Sequence, residues 1–206
     1  RTGKQLKLNV PIFDKVTKGL FENDYAIVIG RPGELKTTFA IWMAVQWWLA
    51  GKRVFFVSQE MSYIDVYGRI LSMIGGFNSL HLRDLQEAPP NVQFLFSAAR
   101  SRFALGPGTI DIPKRPVRTV DRLFDLATRQ PYDVIVDDGI YLMGDANGQQ
   151  KWQAVAEVSN GLKEGALTYG IPVVGISQLK RGSGGKGKEV ELDDIAYADA
   201  IGQDAD

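Results

Sequence analysis

The chain has 206 residues, enough for one domain or two very small ones. Its 45% hydrophobic and 23% charged residues are typical of a soluble globular protein, and its 24 basic side chains balance 24 acidic ones. This balance excludes a globally basic protein that wraps nucleic acid, although a local basic patch remains compatible with it. The absence of cysteine and the single histidine exclude disulfides and thiolate zinc sites, and they argue against a Ser-His-Asp triad.

Short apolar runs alternate with amphipathic stretches along the chain. In chain order the pattern predicts a strand at 25–29, a helix at 36–49, a strand at 53–57, a helix at 64–74, candidate strands at 91–95 and 110–112 with a loop between them, a helix at 118–129, a strand at 134–136, a helix at 152–169 and a strand at 173–176. Nearly continuous apolar strands separated by helices indicate an α/β fold, a mainly parallel sheet with helices on both faces. The longest apolar run, 39–50, contains Gln46 and is too short to cross a bilayer, and no signal peptide opens the chain. We therefore expect no membrane contact and a cytoplasmic protein.

A glycine-containing loop lies between the first predicted strand and the first predicted helix. The candidate nucleotide-binding residues are Gly30, Arg31, Pro32, Gly33, Glu34, Leu35, Lys36, Thr37 and Thr38. Backbone N–H groups at such a helix start attract phosphate, a lysine there reaches the β- and γ-phosphates, and a threonine hydroxyl binds Mg²⁺. The expected ligands are therefore ATP or another nucleoside triphosphate, and Mg²⁺. The alternative is an ordinary strand–turn–helix with a chance Lys-Thr pair.

This loop departs from the usual GxxxxGK[ST] pattern at one position. Leu35 stands where that pattern has the glycine before the lysine. If the position requires a positive φ, leucine costs about 1–2 kcal/mol there.

Polar side chains follow three other predicted strands. Glu60 comes after the predicted strand 53–57, Asp137 and Asp138 end the strand 134–136, and Gln178 follows the strand 173–176. The carboxyl ends of parallel strands meet at one edge of the sheet, where ligands bind in open α/β folds. A carboxylate there can orient and deprotonate a water, and an aspartate can hold Mg²⁺ through water. Taken singly, each could instead be a solvated or capping side chain.

The motifs RPGELKTTFA, FFVSQEMS, VIVDDGIYLM, ISQLKR and QDAD run in one order along the chain. Together they resemble the RecA-like motor domain of DnaB-type hexameric replicative helicases. The resemblance implies a RecA-like P-loop NTPase core over 12–206, with 1–11 as an arm or linker. It also implies that the last strands and the family's basic finger lie beyond residue 206.

The resemblance implies a role for each matching residue. Lys36 and Thr37 would bind phosphate and Mg²⁺, Glu60 would be the catalytic base, and Gln178 would sense the phosphate state. For the aspartate that holds Mg²⁺, an ungapped comparison through the following Leu-Met pair selects Asp138. An alignment on the apolar run before the two aspartates selects Asp137 instead. We prefer Asp138 and keep both candidates.

The family's DNA contacts are not carried over. An arginine, an acid and a glycine hold DNA shortly before QDAD in the family, and Ala196, Tyr197 and Asp199 stand at those places here. Other basic side chains surround a glycine-rich stretch and are candidate contacts to nucleic-acid phosphates. The alternative is that they belong to an ordinary solvated loop. They are Lys180, Arg181, Lys186 and Lys188.

The resemblance and the strand-end residues together predict an ATP-driven motor on single-stranded DNA. We expect a homo-oligomer, a hexameric ring, in replication or recombination, and the short chain would suit a phage protein acting in the host cytoplasm. One alternative is a RecA-like recombinase or recombination mediator that forms filaments. Another is a nucleotide-binding or structural assembly protein with weak or no hydrolysis.

Overall fold

A computed structural model describes residues 5–8, 10–144 and 151–178 of the chain. Within these ranges the helices and strands alternate for most of the length. The helices are α1 (Pro11–Thr17), α2 (Lys36–Leu49), α3 (Tyr63–Gly75), α4 (Pro90–Ala104), α5 (Val120–Ala127) and α6 (Lys151–Tyr169), with short 3₁₀ helices at Ser79–Asp84 and Ile140–Leu142. The strands are β1 (Tyr25–Gly30), β2 (Arg53–Ser58), β3 (Thr109–Asp111), β4 (Val134–Asp138) and β5 (Val173–Gln178). No helix among the described residues is long and apolar enough to cross a membrane.

The five strands form one parallel sheet in the order β1-β5-β4-β2-β3. The register pairs Gly30 with Gln178 and Ser58 with Asp138, so the ends of β1, β5, β4 and β2 lie along one edge. The predicted mainly parallel sheet is confirmed. The strand-end residues that the sequence analysis identified as candidates therefore lie along the carboxyl edge of the sheet.

The sheet is buried on both faces because its strands are apolar on both sides. Phe56 packs against α2 and α3 in one cluster, together with Trp47 and Trp48, which are each 1% exposed. The neighbouring Phe55 packs against α5 and α6 on the opposite face. Successive side chains of a strand point to opposite faces, and helices therefore cover both sides as predicted.

The structure corrects the interpretation of the middle of the chain. Residues 91–95, predicted as a strand, lie inside α4, and most of the predicted loop that follows also belongs to this helix. The candidate strand at 110–112 is confirmed with a shifted boundary, as β3.

The N-terminal segment contacts the domain. Leu6 is 3% exposed and pairs with Leu20 through two backbone hydrogen bonds of 2.8 Å. The indole of Trp47 donates to the carbonyl of Lys7 at 3.1 Å. α1 follows, a helix that the sequence analysis did not predict. The division at residue 12 stays a prediction.

Candidate nucleotide-binding site

The loop after β1 turns sharply before α2 begins. Gly33 has φ 83° and Leu35 has φ 57°, both in the left-handed region. Leu35 is the residue that precedes α2, and its side chain is 70% exposed. The position does require a positive φ, which explains why the usual pattern has glycine there.

Two charged side chains of the loop are paired within the loop itself. The ammonium Nζ of Lys36 donates to the carbonyl of Arg31 at 2.9 Å. The carboxylate Oε2 of Glu34 accepts the backbone N–H of Arg31 at 2.6 Å. The Glu34 carboxylate therefore occupies the backbone N–H of Arg31, a donor that could otherwise bind a phosphate.

Asp138 links the end of β4 to the start of α2. The hydroxyl of Thr37 donates to Asp138 Oδ1 at 3.0 Å, and the hydroxyl of Ser58 donates to Oδ2 at 3.1 Å. Burial raises the pKa of the Asp138 carboxyl, while the hydrogen bonds from Thr37 and Ser58 lower it in part. A hydroxyl beside a carboxylate is the oxygen donor set that suits Mg²⁺, whose other ligands are commonly waters and substrate phosphates.

Asp137 faces the other side of the sheet. It is fully buried, and its Oδ1 accepts a hydrogen bond from Gln59 Nε2 at 3.4 Å. Burial raises the pKa of Asp137 to about 7, against a lowering by the Gln59 hydrogen bond. Because adjacent strand residues alternate between faces, only one of the two aspartates can reach Thr37, and the geometry places Asp138 there.

Glu60 and Gln178 meet across the sheet edge, although 118 residues separate them. The amide Nε2 of Gln178 donates to Glu60 Oε1 at 3.2 Å. Tyr141, in the second 3₁₀ helix, joins them: its hydroxyl donates to Glu60 Oε1 and accepts from Gln178 Nε2. The sequence analysis missed Tyr141, whose only signal was its place three residues after Asp138 in the VIVDDGIYLM motif.

A cavity of about 330 Å³ lies between the loop and these side chains. It is lined by Pro32, Gly33, Leu35, Lys36, Thr37, Thr38, Glu60, Met61, Arg69 and Gln178. A second cavity of about 370 Å³ adjoins it and shares Glu60, Met61 and Arg69 with it. Sequence reasoning also missed Arg69, an exposed cation on α3, which no local pattern in the sequence singles out.

Part of the predicted site cannot be placed. Lys180, Arg181, Lys186 and Lys188 lie outside the described residues, as do the positions before QDAD. They stay predictions.

The family model of the DnaB-like helicase C terminal domain matches residues 6–206. The chain belongs to this family. The replicative DNA helicase DnaB of Rickettsia bellii is 30% identical over 205 residues, covering 91% of this chain and 41% of the relative. Its counterpart from Geobacillus stearothermophilus is 30% identical over 200 residues, covering 94% of this chain and 44% of the relative. The chain therefore spans less than half the length of these curated relatives.

Two solved structures support the same fold. A DnaB-like replicative helicase, solved to study its interactions with primase, superimposes with a TM-score of 0.85 over 98% of this chain and 50% of its own. A second solved structure, of an ATPase domain, gives a TM-score of 0.86 over 98% of this chain and 74% of its own. Both are 20% identical to this chain and thus show the fold alone. The predicted RecA-like fold and the resemblance to DnaB-type helicases are confirmed, and family membership implies nucleotide use.

Proposed function

We propose that this chain is the ATP-hydrolysing motor domain of a ring-shaped replicative helicase that moves along single-stranded DNA. The observation that carries the proposal is the convergence of separate chain segments at one site. The loop brings Lys36 and Thr37 to the cavity, and the segments after β2 and at the end of β5 bring Glu60 and Gln178 to it. Asp138 of β4 lies beside the cavity and accepts a hydrogen bond from Thr37, which lines it. Family membership and the helicase relatives favour this function over a recombinase.

Each group has a chemical task in this proposal. The loop amides and Lys36 bind the triphosphate and balance its charge. Thr37 and Asp138 would hold Mg²⁺, which would supply positive charge to offset the charge that develops on the phosphate oxygens. Glu60 orients a water and accepts its proton as the water oxygen attacks the γ-phosphorus, and the bond to the β-phosphate oxygen breaks. Gln178 senses whether the γ-phosphate is present.

Nucleotide binding requires the loop to exchange its internal partners. Lys36 must leave the carbonyl of Arg31 to reach phosphate. Glu34 must leave the amide of Arg31 before that donor can turn to an anion. The bound loop should therefore differ from the present one mainly at these two side chains.

The proposed partners are single-stranded DNA and further copies of this chain in a hexamer. Lys180, Arg181, Lys186 and Lys188 would contact DNA phosphates, and such contacts are weakened by salt. A neighbouring copy would add a cation to the ATP site. The proposed location is the cytoplasm, where its DNA substrate would be.

The test is ATP turnover with and without single-stranded DNA, for the wild type, Lys36→Ala and the control Lys52→Ala. Lys52 lies between α2 and β2, away from the cavity lining. We expect DNA to stimulate turnover, Lys36→Ala to abolish it and Lys52→Ala to preserve it.

Two outcomes would redirect the proposal. A folded oligomer that binds ATP without turning it over would support a nucleotide-binding or structural role instead. Helical filaments on DNA in electron micrographs, in place of closed rings, would support the recombinase alternative.

A further inference from the structure

We propose that Tyr141 is a positioning residue that locks Glu60 and Gln178 together while no γ-phosphate is bound. The inference rests on the proposed function, because it assigns Tyr141 to the same ATP site. The observation behind it is the three-way contact in which the Tyr141 hydroxyl touches both the carboxylate and the amide.

The direction of each hydrogen bond follows from the donors available. An ionised carboxylate only accepts, so the single hydroxyl proton of Tyr141 is donated to Glu60. The hydroxyl oxygen is then free to accept from the amide of Gln178. The same amide nitrogen also donates to Glu60 at 3.2 Å, which occupies both of its hydrogens.

This arrangement has a consequence for phosphate sensing. The remaining polar atom of Gln178 is its carbonyl oxygen, which cannot donate to a phosphate. Gln178 must therefore break its bonds to Tyr141 and Glu60 before it can recognise a γ-phosphate. The lock opposes the binding of ATP and leaves ADP unaffected, because ADP offers no γ-phosphate to draw Gln178 away.

The fold holds the Tyr141 hydroxyl in this place. Gly139 has φ 111°, which turns the chain directly after β4. A Cβ at Gly139 would lie 3.2 Å from Gln59 Cβ and 3.4 Å from Glu60 Cγ, so glycine lets the 3₁₀ helix approach Glu60 closely. Ile140 is fully buried beside Tyr141, which itself packs against the core under α5 and α6.

The experiment measures dissociation constants for ADP and for a non-hydrolysable ATP analogue, both with Mg²⁺, so that no turnover is needed. Tyr141→Phe should tighten binding of the ATP analogue about fivefold, the net worth of one hydrogen bond, and leave ADP binding unchanged. The matched control is Tyr132→Phe, which removes a hydroxyl that donates to Asp111 at 2.8 Å. Neither residue lines the cavity, so this variant should change neither constant.

A second variant separates positioning from a general structural effect. In a Gln178→Ala background the bond to the tyrosine is already absent, so Tyr141→Phe should no longer tighten the ATP analogue. The inference is overturned if Tyr141→Phe shifts both nucleotides equally, weakens the analogue or changes neither. A wild-type chain that binds neither nucleotide would instead refute the proposed function.

Discussion

Leu35 holds a left-handed backbone conformation that costs a residue with a Cβ about 1–2 kcal/mol. Its side chain is 70% exposed, so removing it loses little packing. Glycine also increases the entropy of the unfolded chain, which lowers the free energy of unfolding by about 0.5–1 kcal/mol and offsets part of this gain. We expect Leu35→Gly to raise the free energy of unfolding by about 0.5–1 kcal/mol, measured by urea denaturation.

Leu35→Ala is the matched control for this prediction. Alanine keeps the Cβ and with it the cost of the positive φ, so no stabilisation is expected. Equal effects of the two substitutions would show that the backbone of residue 35 is not strained in solution.

Glu34 occupies a loop amide and places a negative charge where a triphosphate would bind. Because the side chain is exposed, solvent screens the effect, and about 1 kcal/mol is the appropriate scale. We expect Glu34→Ala to tighten ATP binding about fivefold, measured by titration with a fluorescent analogue. The control Glu22→Ala removes an exposed carboxylate from the segment before β1. Weaker binding by Glu34→Ala would mean that the carboxylate supports the loop rather than competing with phosphate.

The two aspartates at the end of β4 give a matched pair for the proposed Mg²⁺ site. Asp138→Asn removes the carboxylate beside Thr37 and should weaken Mg²⁺-dependent turnover roughly 10- to 100-fold. Asp137→Asn changes a buried group on the opposite face and should preserve the Mg²⁺ dependence. Turnover measured across a Mg²⁺ titration distinguishes them, and a reversed result would move the site to Asp137.

At the scale of elements, the packing of α5 against α6 depends on one glycine. A Cβ at Gly165 would lie 2.0 Å from the ring of Phe124, whereas a Cβ at Gly161 would lie 3.3 Å from Val120. Gly165→Ala forces the helices apart and should destabilise the fold by about 1–3 kcal/mol. Gly161→Ala should be close to neutral, since the helix propensity of alanine offsets a small displacement.

Thermal unfolding monitored by circular dichroism measures both effects. The double variant Gly165→Ala with Phe124→Leu should recover part of the loss, because the smaller side chain yields space. Equal melting temperatures for the two glycine variants would contradict the close approach of Phe124.

The helix α4 shows why part of the fold escaped prediction. Val92, Phe94 and Phe96 alternate with other residues as they would in a half-buried strand. In the structure Pro90 occupies the first turn of a helix, Val92 and Ala99 are buried, and Phe94 is 72% exposed. A helix with so few buried side chains leaves a weak periodicity, and α1, with no buried residue, leaves none.

The candidate site was predictable where it depends on strand ends. Glu60 follows β2, Gln178 ends β5 and Lys36 follows the loop after β1, and the carboxyl ends of these parallel strands lie at one edge. Tyr141 and Arg69 enter the site from helices whose orientation depends on tertiary packing, which no local pattern encodes. The roles of all these residues stay predictions until they are tested.

At the scale of the whole molecule, the cavity beside the loop is short of positive charge for phosphoryl transfer. Its described lining contains two cationic side chains, Lys36 and Arg69, and it is open to solvent past the exposed Leu35. The two cations and the proposed Mg²⁺ together offset the charge of a triphosphate, but the carboxylates of Glu60 and Asp138 add negative charge that remains unbalanced. A neighbouring copy that covers the mouth would exclude water and add a cation, a contribution worth on the order of 10³ in rate in related chemistry.

Turnover per chain should therefore rise with protein concentration and reach a plateau where the oligomer forms. The measurement is specific activity over a dilution series, with sedimentation velocity at the same concentrations to define the oligomer. Binding of ADP serves as the control, because the loop proposed to hold its phosphates lies within one chain and would need no neighbour. A specific activity that stays constant while the oligomer dissociates would show that each chain hydrolyses ATP alone, and the shared site would then be wrong.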